Sequence, residues 1–354
     1  MDVKPVQILS EGKWKRRRTF RLSNWLRHAG AAAAVWSFLY GIIGLYWAIG
    51  GAGFPFGEGD SRGVMMGSFL SNLKADVGGL AFAIIGFTGT FVALAMNHSL
   101  IQQKWWRVFF LTFSWTLCVI LLVVIPDTRV LQNFVYALMF YFELFDWPVL
   151  QQLLCIVGGI LWGATALFYQ RRSAGACVDC GRIEGDTNKT KLTKWGKWST
   201  LIAVIMALPY GIVRLAWAAG LPLGTPEIDM TLTGRLVEAF LGGLPIMGAI
   251  LTLGLIQKWG EVFPRWCLII AGKRVPIWFA VIPAAIASIL LTIAGLKVSP
   301  VIIMGILDGS INSANWGELL PALSWFFWGV SLGAATLSYY LRRRSQCRYC
   351  GIGG

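Results

Sequence analysis

Apolar runs of about twenty residues recur along the whole chain, each separated from the next by a short polar or glycine-containing stretch. A helix rises about 1.5 Å per residue, so a run of that length crosses the roughly 30 Å hydrocarbon core of a bilayer. Eight runs can be marked, at about 29–50, 77–97, 106–125, 148–169, 198–219, 236–256, 276–295 and 318–341. Their backbone amides have no water to bond to in lipid, and a helix satisfies them within one segment. The composition agrees. Only 14% of the 354 residues are charged and 56% are hydrophobic, with a mean hydropathy of +0.63, whereas a soluble domain carries about 25% charged residues. The fold expected is an all-α polytopic membrane protein with eight transmembrane helices.

Charge orients it. The formal net charge is +14, which in a soluble chain would suggest nucleic acid. Here the basic residues sit in clusters between alternate runs: Lys13 to Arg27, Lys104 and Arg107, Arg171 to Lys197, Lys258 to Arg274, and Arg342 to Arg348. With both termini in the cytoplasm, about 25 of the 31 Lys and Arg fall on that side, as the positive-inside rule requires. The other connections are acidic, with Glu58, Asp60, Asp127, Glu143, Asp146, Glu227, Asp229 and Asp308. Anionic lipid headgroups account for the basic surface, and no nucleic-acid partner is expected. The first run has no cleavage site and is too long for a signal-peptide core, so it reads as a retained span of a multi-pass protein of the cell membrane.

The two halves echo each other. YGIIGLYWAIG at 40–50 answers YGIVRLAWAAG at 210–220, QKWWRVF at 103–109 answers QKWGEVF at 257–263, and ADVGGLAFAIIG at 75–86 loosely answers EAFLGGLPIMG at 238–248. An even number of spans per unit puts the copies in the same orientation. The expectation is two parallel four-helix repeats, 29–170 and 198–341, related by a pseudo-two-fold axis along the membrane normal. Around them lie a basic segment at 1–28, a polar linker at 171–197 and a tail at 342–354. Residues 54–74 read as a glycine-rich lid over the first bundle. The aromatic stretch 133–145 is too short to span and reads as an interfacial or re-entrant helix, with 298–307 as its counterpart.

Each half ends in the same way. RRSAGACVDCG at 171–181 and RRRSQCRYCG at 342–351 both place a Cys-x-x-Cys-Gly turn after a basic clamp. Two thiolates on such a turn can face one metal, and the glycine permits the turn. Cys177, Cys180, Cys347 and Cys350 would together complete a tetrahedral structural zinc site. The reducing cytoplasm disfavours disulfides, and the neighbouring arginines favour thiolates. Metal-free turns and a redox-active dithiol are the alternatives, although no βαβ pattern surrounds either pair. Cys118, Cys155 and Cys267 read as packing residues.

Charged groups within spans are functional candidates. Arg214 lies in GIVRLAW where the first half has Gly44, about two turns from the outer end of its span, within reach of Glu238. The pair is a candidate wall of a ligand pocket or a structural ion pair. Tyr40, Trp47, Tyr210 and Trp217 stand on the matching aromatic faces and complete the candidate ligand-binding set; belt or packing roles are the competing reading. His28 and His98 lie at interfaces without a carboxylate at helical spacing. No lysine is expected deep in a span.

The phrase LYWAIGG at 45–51, with LAWAAG at 215–220 as its second version, resembles a family of short four-span bacterial membrane proteins of unknown function carrying a Tyr-Trp-Ala-x-Gly-Gly signature. The second copy departs from it, with Ala216 in place of Tyr46 and Arg214 before it. The resemblance covers spans one and five, implies a four-span repeat unit in a bacterial membrane, and transfers no activity. P-loop and His-Glu-x-x-His motifs are absent, and no Gly-x-Ser-x-Gly string follows a strand as a nucleophile elbow would. Three functions remain: a carrier or binder of a small apolar or amphipathic molecule, a non-catalytic subunit or immunity-type protein acting through a membrane protein partner, and an intramembrane enzyme on a lipid or prenyl chain. The enzyme would draw on Asp127, Glu143, Asp146, Glu227 and Asp229.

Overall fold

The computed structural model describes residues 22–98, 103–177, 180–181, 189–226, 230–263 and 271–344. Helices α1 Leu22–Ala48, α2 Ala75–His98, α3 Lys104–Val119 and α5 Trp147–Ser173 form the first half, with a short α4 Thr128–Ala137 between α3 and α5. Helices α6 Lys189–Ala218, α7 Leu232–Leu253, α8 Ile277–Leu307 and α10 Ser324–Arg343 form the second, with one turn of helix, α9 Trp316–Leu319, leading into α10. Eight of these segments are long and apolar enough to cross a membrane. They coincide with the eight sequence runs, except at the ends described below.

The apolar side chains turned outward include Phe91, Trp105 and Ile49. Such a surface would drive aggregation in water and suits contact with lipid. Inside, the first half is filled by Trp162, Phe110, Val92 and Cys155, with Cys118 beside them. Cys118 and Cys155 are the buried packing residues expected; Cys267 lies outside the described residues. The second half packs around Ala203, Ala207, Leu332 and Tyr339.

Helix pairing follows one order in both halves. Helix α1 packs on α2 and α5, and α3 packs on α5; α6 packs on α7 and α10, and α8 packs on α10. The α1–α2 seam is made of glycine. A Cβ on Gly44 would fall 2.5 Å from the Ala83 nitrogen, and one on Gly79 2.5 Å from the Ala48 nitrogen, so the two backbones touch. Small residues at a crossing are how helices associate where lipid removes the hydrophobic drive.

Three segments differ from the sequence reading. Helix α8 is continuous over 31 residues, so 298–307 is not a separate interfacial piece. Pro300 withholds one amide from the Leu296 carbonyl, but the Ser299 hydroxyl donates to the Gly295 carbonyl one turn back and the helix carries on. Consequently Lys297 lies inside a spanning helix, against the expectation that no lysine would. Helix α6 begins at Lys189 rather than 198, turning the end of the linker into basic helix. The aromatic stretch forms α4, which starts at Thr128 because Asp127 caps it, accepting from the Arg129 amide, and gives way to turns after Ala137.

The 54–74 segment is folded. Phe54 and Phe56 enter the first-half core beside Phe82, and Gly67 reaches α8 at Lys297, with φ +71°. It therefore touches both halves.

Candidate ligand-binding site

A cavity of about 580 Å³ opens where α4 of the first half faces α6, α7, α8 and α10 of the second. That volume is in the range of small-molecule sites. Met66, Thr128 and Gln132 close it on the first-half side; the opposite wall is mostly apolar, with Leu241, Leu244, Leu290 and Leu291 and with Pro245 and Gly248 of α7.

Arg214 and Glu238 stand in this wall. Arg214 Nη1 donates to both Glu238 carboxylate oxygens at 2.9 Å, with the two side chains 20% and 13% exposed. The pair forms because α6 ends and α7 begins on the same side, so each charge finds its counterion in the adjacent helix instead of remaining alone in an apolar wall. Aromatic rings fix the guanidinium: its carbon lies 5.0 Å from the Tyr210 ring centre and 4.8 Å from that of Trp217. Trp217 is held by its indole N–H donating to the Leu223 carbonyl, and Tyr210 meets Trp325 edge to face at 5.0 Å. Gly242 of α7 is pressed against Arg214 Cβ and the Leu215 backbone. Where Gly44 lets α1 and α2 touch, Arg214 puts a side chain beside the corresponding seam and directs it into the cavity wall.

Two buried polar atoms in the cavity lining have no hydrogen-bond partner among the described residues, Gln132 Oε1 and the indole Nε1 of Trp328. An unmet buried donor or acceptor costs about 1–3 kcal/mol. Pro245 also frees the Leu241 carbonyl of its helical partner on the face that lines the cavity.

Of the six residues read from sequence as ligand-binding, Arg214, Glu238 and Tyr210 line the cavity and Trp217 backs Arg214. Trp47 and Tyr40 do not. Trp47 is buried against Phe54 and Phe82. Tyr40 stacks on Trp36 and donates to Gln151 Oε1 at 2.9 Å within the first-half core. Beside these rings Gly44 brings the α1 and α2 backbones into contact.

Sequence reasoning missed a second polar cluster beside the cavity, next to Thr128 of its lining. Arg129 is fully buried and bonds Asp127 through Nε and Asp60 through Nη1, at 3.1 and 3.0 Å. Gln152 donates to Asp127 at 2.8 Å, and Arg62 reaches Asp146 at 3.2 Å. Burial opposes the Arg129 charge, but the hydrogen bonds and charges of Asp127 and Asp60 outweigh it and hold its pKa above the ordinary arginine value. The carboxylates Asp127 and Asp146 thus serve Arg129 and Arg62. Glu143 instead accepts from the Tyr141 hydroxyl at an exposed position, and Glu227 and Asp229 lie outside the described residues. Next to this cluster Lys297, 1% exposed, donates to the Val124 carbonyl at 2.6 Å, and its ammonium lies 3.4 Å from the Phe69 ring centre. Val124 ends a π-helical turn, Ile120–Val124, whose wider hydrogen-bonding pattern distorts the end of α3. The sequence signal was the isolated lysine of GLKVSP in an apolar run.

Part of the first cysteine segment is described, with Cys177, Cys180 and Gly181. The Gly181 amide donates to the Cys177 carbonyl at 2.6 Å, and Gly181 takes φ +69°, a conformation that glycine adopts without strain. Arg344 Nη1 donates to the Cys180 carbonyl at 2.6 Å across 164 residues of sequence. Cys347 and Cys350 lie outside the described residues, and among the described ones no three His, Cys, Asp or Glu side chains group to hold a metal.

No protein-family model, curated protein or solved structure matches the chain.

Proposed function

We propose that the protein is a carrier or permease that binds a small apolar or amphipathic molecule between its two halves. The observation that carries this reading is the cavity itself: it is bounded by both halves, apolar over most of its wall, and furnished with the Arg214–Glu238 pair and two unpartnered polar atoms. A binding site at the junction of two bundles is where relative motion of the bundles changes access. The shared order of helix pairing supports a duplicated four-helix unit, of the kind the Tyr-Trp-Ala signature suggests, with a pseudo-two-fold axis along the membrane normal. The distribution of Lys and Arg supports both termini in the cytoplasm.

A structural zinc site formed by Cys177, Cys180, Cys347 and Cys350 completes the proposal. Its support is the Cys177–Gly181 turn and the hydrogen bond from Arg344, three residues before Cys347, to the Cys180 carbonyl. Four thiolates leave no open coordination position, so this metal would fasten the halves and take no part in transport.

The test is reconstitution. Purified protein in lipid nanodiscs is titrated with an environment-sensitive apolar dye, and a variant filling the cavity, Gly248→Leu, is titrated beside it. Saturable binding by the native chain and its loss in the filled variant is the expected result. Equal, non-saturable uptake by both would end the reading.

A further inference from the structure

We propose that the cavity takes a single-chain amphiphile whose polar head carries no net charge, with the head at the Arg214–Glu238 pair and the chain laid along α7. This rests on the reading that the cavity binds a ligand.

Three observations give the ligand its shape and chemistry. The first is length. On α7 the cavity is lined by Glu238, Leu241, Pro245 and Gly248, one face over ten residues, or about 15 Å at helical rise. Helix α8 gives the same measure independently, from Val298 to Ala287. With carbon–carbon bonds of about 1.5 Å, an extended alkyl chain advances roughly 1.3 Å per carbon, so about twelve carbons fill that length.

The second is the separation of polar from apolar lining. Arg214 and Glu238 stand together at one end, where α6 finishes and α7 starts. Down α7 and α8 the wall becomes Leu241, Leu244, Leu290 and Leu291. A chain fits along it, with the Trp328 indole as the polar group beside Gly248 at the far end.

The third is charge. Among the described residues lining the cavity Arg214 is the one cation and Glu238 the one anion, and these sum to zero. A head with a net charge would bring an uncompensated ion into a poorly hydrated pocket, which costs several kcal/mol. A head that both donates and accepts, through hydroxyls or as a zwitterion, meets no such cost. Glu238 engages only Nη1 of Arg214, and the Gln132 amide oxygen still needs a donor. The Gln132 oxygen is available to the head.

The experiment compares four probes with the same twelve-carbon chain: monododecanoylglycerol, dodecylphosphocholine, dodecyl phosphate and dodecyltrimethylammonium. Their displacement of the apolar dye from native protein in nanodiscs is measured. The first two are expected to bind at least about tenfold more tightly than the charged pair. Eight- and sixteen-carbon versions of the glycerol ester are expected to bind more weakly than the twelve-carbon one. Glu238→Gln leaves a net positive site and shifts preference to the phosphate; Arg214→Gln shifts it to the ammonium. Should either variant fail to fold, the exchanged pair Arg214→Glu with Glu238→Arg keeps the sum at zero and is expected to keep the native preference. Four equal affinities, or a charged head preferred by the native chain, would overturn the ligand class while leaving the cavity reading intact. If the dye itself does not bind, the cavity reading fails first.

Discussion

Arg129 and Asp60 stand 69 residues apart in sequence and meet as a two-pronged pair, with Arg129 Nη1 3.0 Å from Asp60 Oδ1 and Nη2 on Oδ2. The same guanidinium holds Asp127, two residues before it. One buried cation therefore fastens the 54–74 segment to the start of α4, and with it one edge of the cavity.

Replacing Arg129 by methionine removes the counterion of two carboxylates, of which Asp127 is fully buried. A destabilisation of about 3–5 kcal/mol is expected, read as a lower thermal midpoint in detergent. Arg129→Lys should recover only part of it, since an ammonium cannot fork across two carboxylates.

Lys297 is a different case, because its hydrogen bond goes to a backbone carbonyl and its other contact is an aromatic ring. Methionine matches its shape without the desolvated charge. Lys297→Met is expected to leave the thermal midpoint unchanged or to raise it, by no more than about 1–2 kcal/mol. A fall of several kcal/mol would mean that the ammonium ties α8 to the end of α3.

The glycine seam separates close contact from mere small size. Gly44→Ala pushes a methyl group into the Ala83 backbone, and about 1–3 kcal/mol of destabilisation should follow. Gly243→Ala is the internal control. A Cβ there meets nothing within 4 Å, and the helix should gain roughly 0.5–1 kcal/mol. Equal effects at both positions would contradict the backbone contact.

Metal analysis of protein purified without chelator is expected to find about one zinc per chain. Cys177→Ser and Cys347→Ser should each abolish it if the two turns share one ion. Loss of half the metal in each would mean two separate ions, and no zinc in the native chain would remove the site.

The eight spans were legible because lipid imposes one rule on every residue of a run, and hydropathy records that rule directly. Arg214 and Glu238 were legible for a related reason: two opposite charges near the ends of consecutive apolar runs have few other partners. The Arg129 cluster was not, because it depends on Asp60 arriving from a glycine-rich connection whose path no local pattern specifies. Lys297 was missed because the seventh run ends at 295 and 298–307 reads as a separate interfacial piece, whereas the helix continues through Pro300 with the Ser299 hydroxyl bonded one turn back. Trp47 and Trp217 look equivalent in sequence. They part company because one lies beside a seam closed by Gly44 and the other beside Arg214, a difference of packing between helices that aromatic spacing alone does not convey.

The unbroken course of α8 has one more implication. Its 31 residues extend about 46 Å, well beyond the thickness of an ordinary bilayer interior. To keep its apolar surface out of water the helix must lean steeply or draw the surrounding lipid up around it. Because Leu290, Leu291 and Val298 of that helix also line the cavity, a thicker or thinner host membrane would alter the lean and, with it, the width of the chamber.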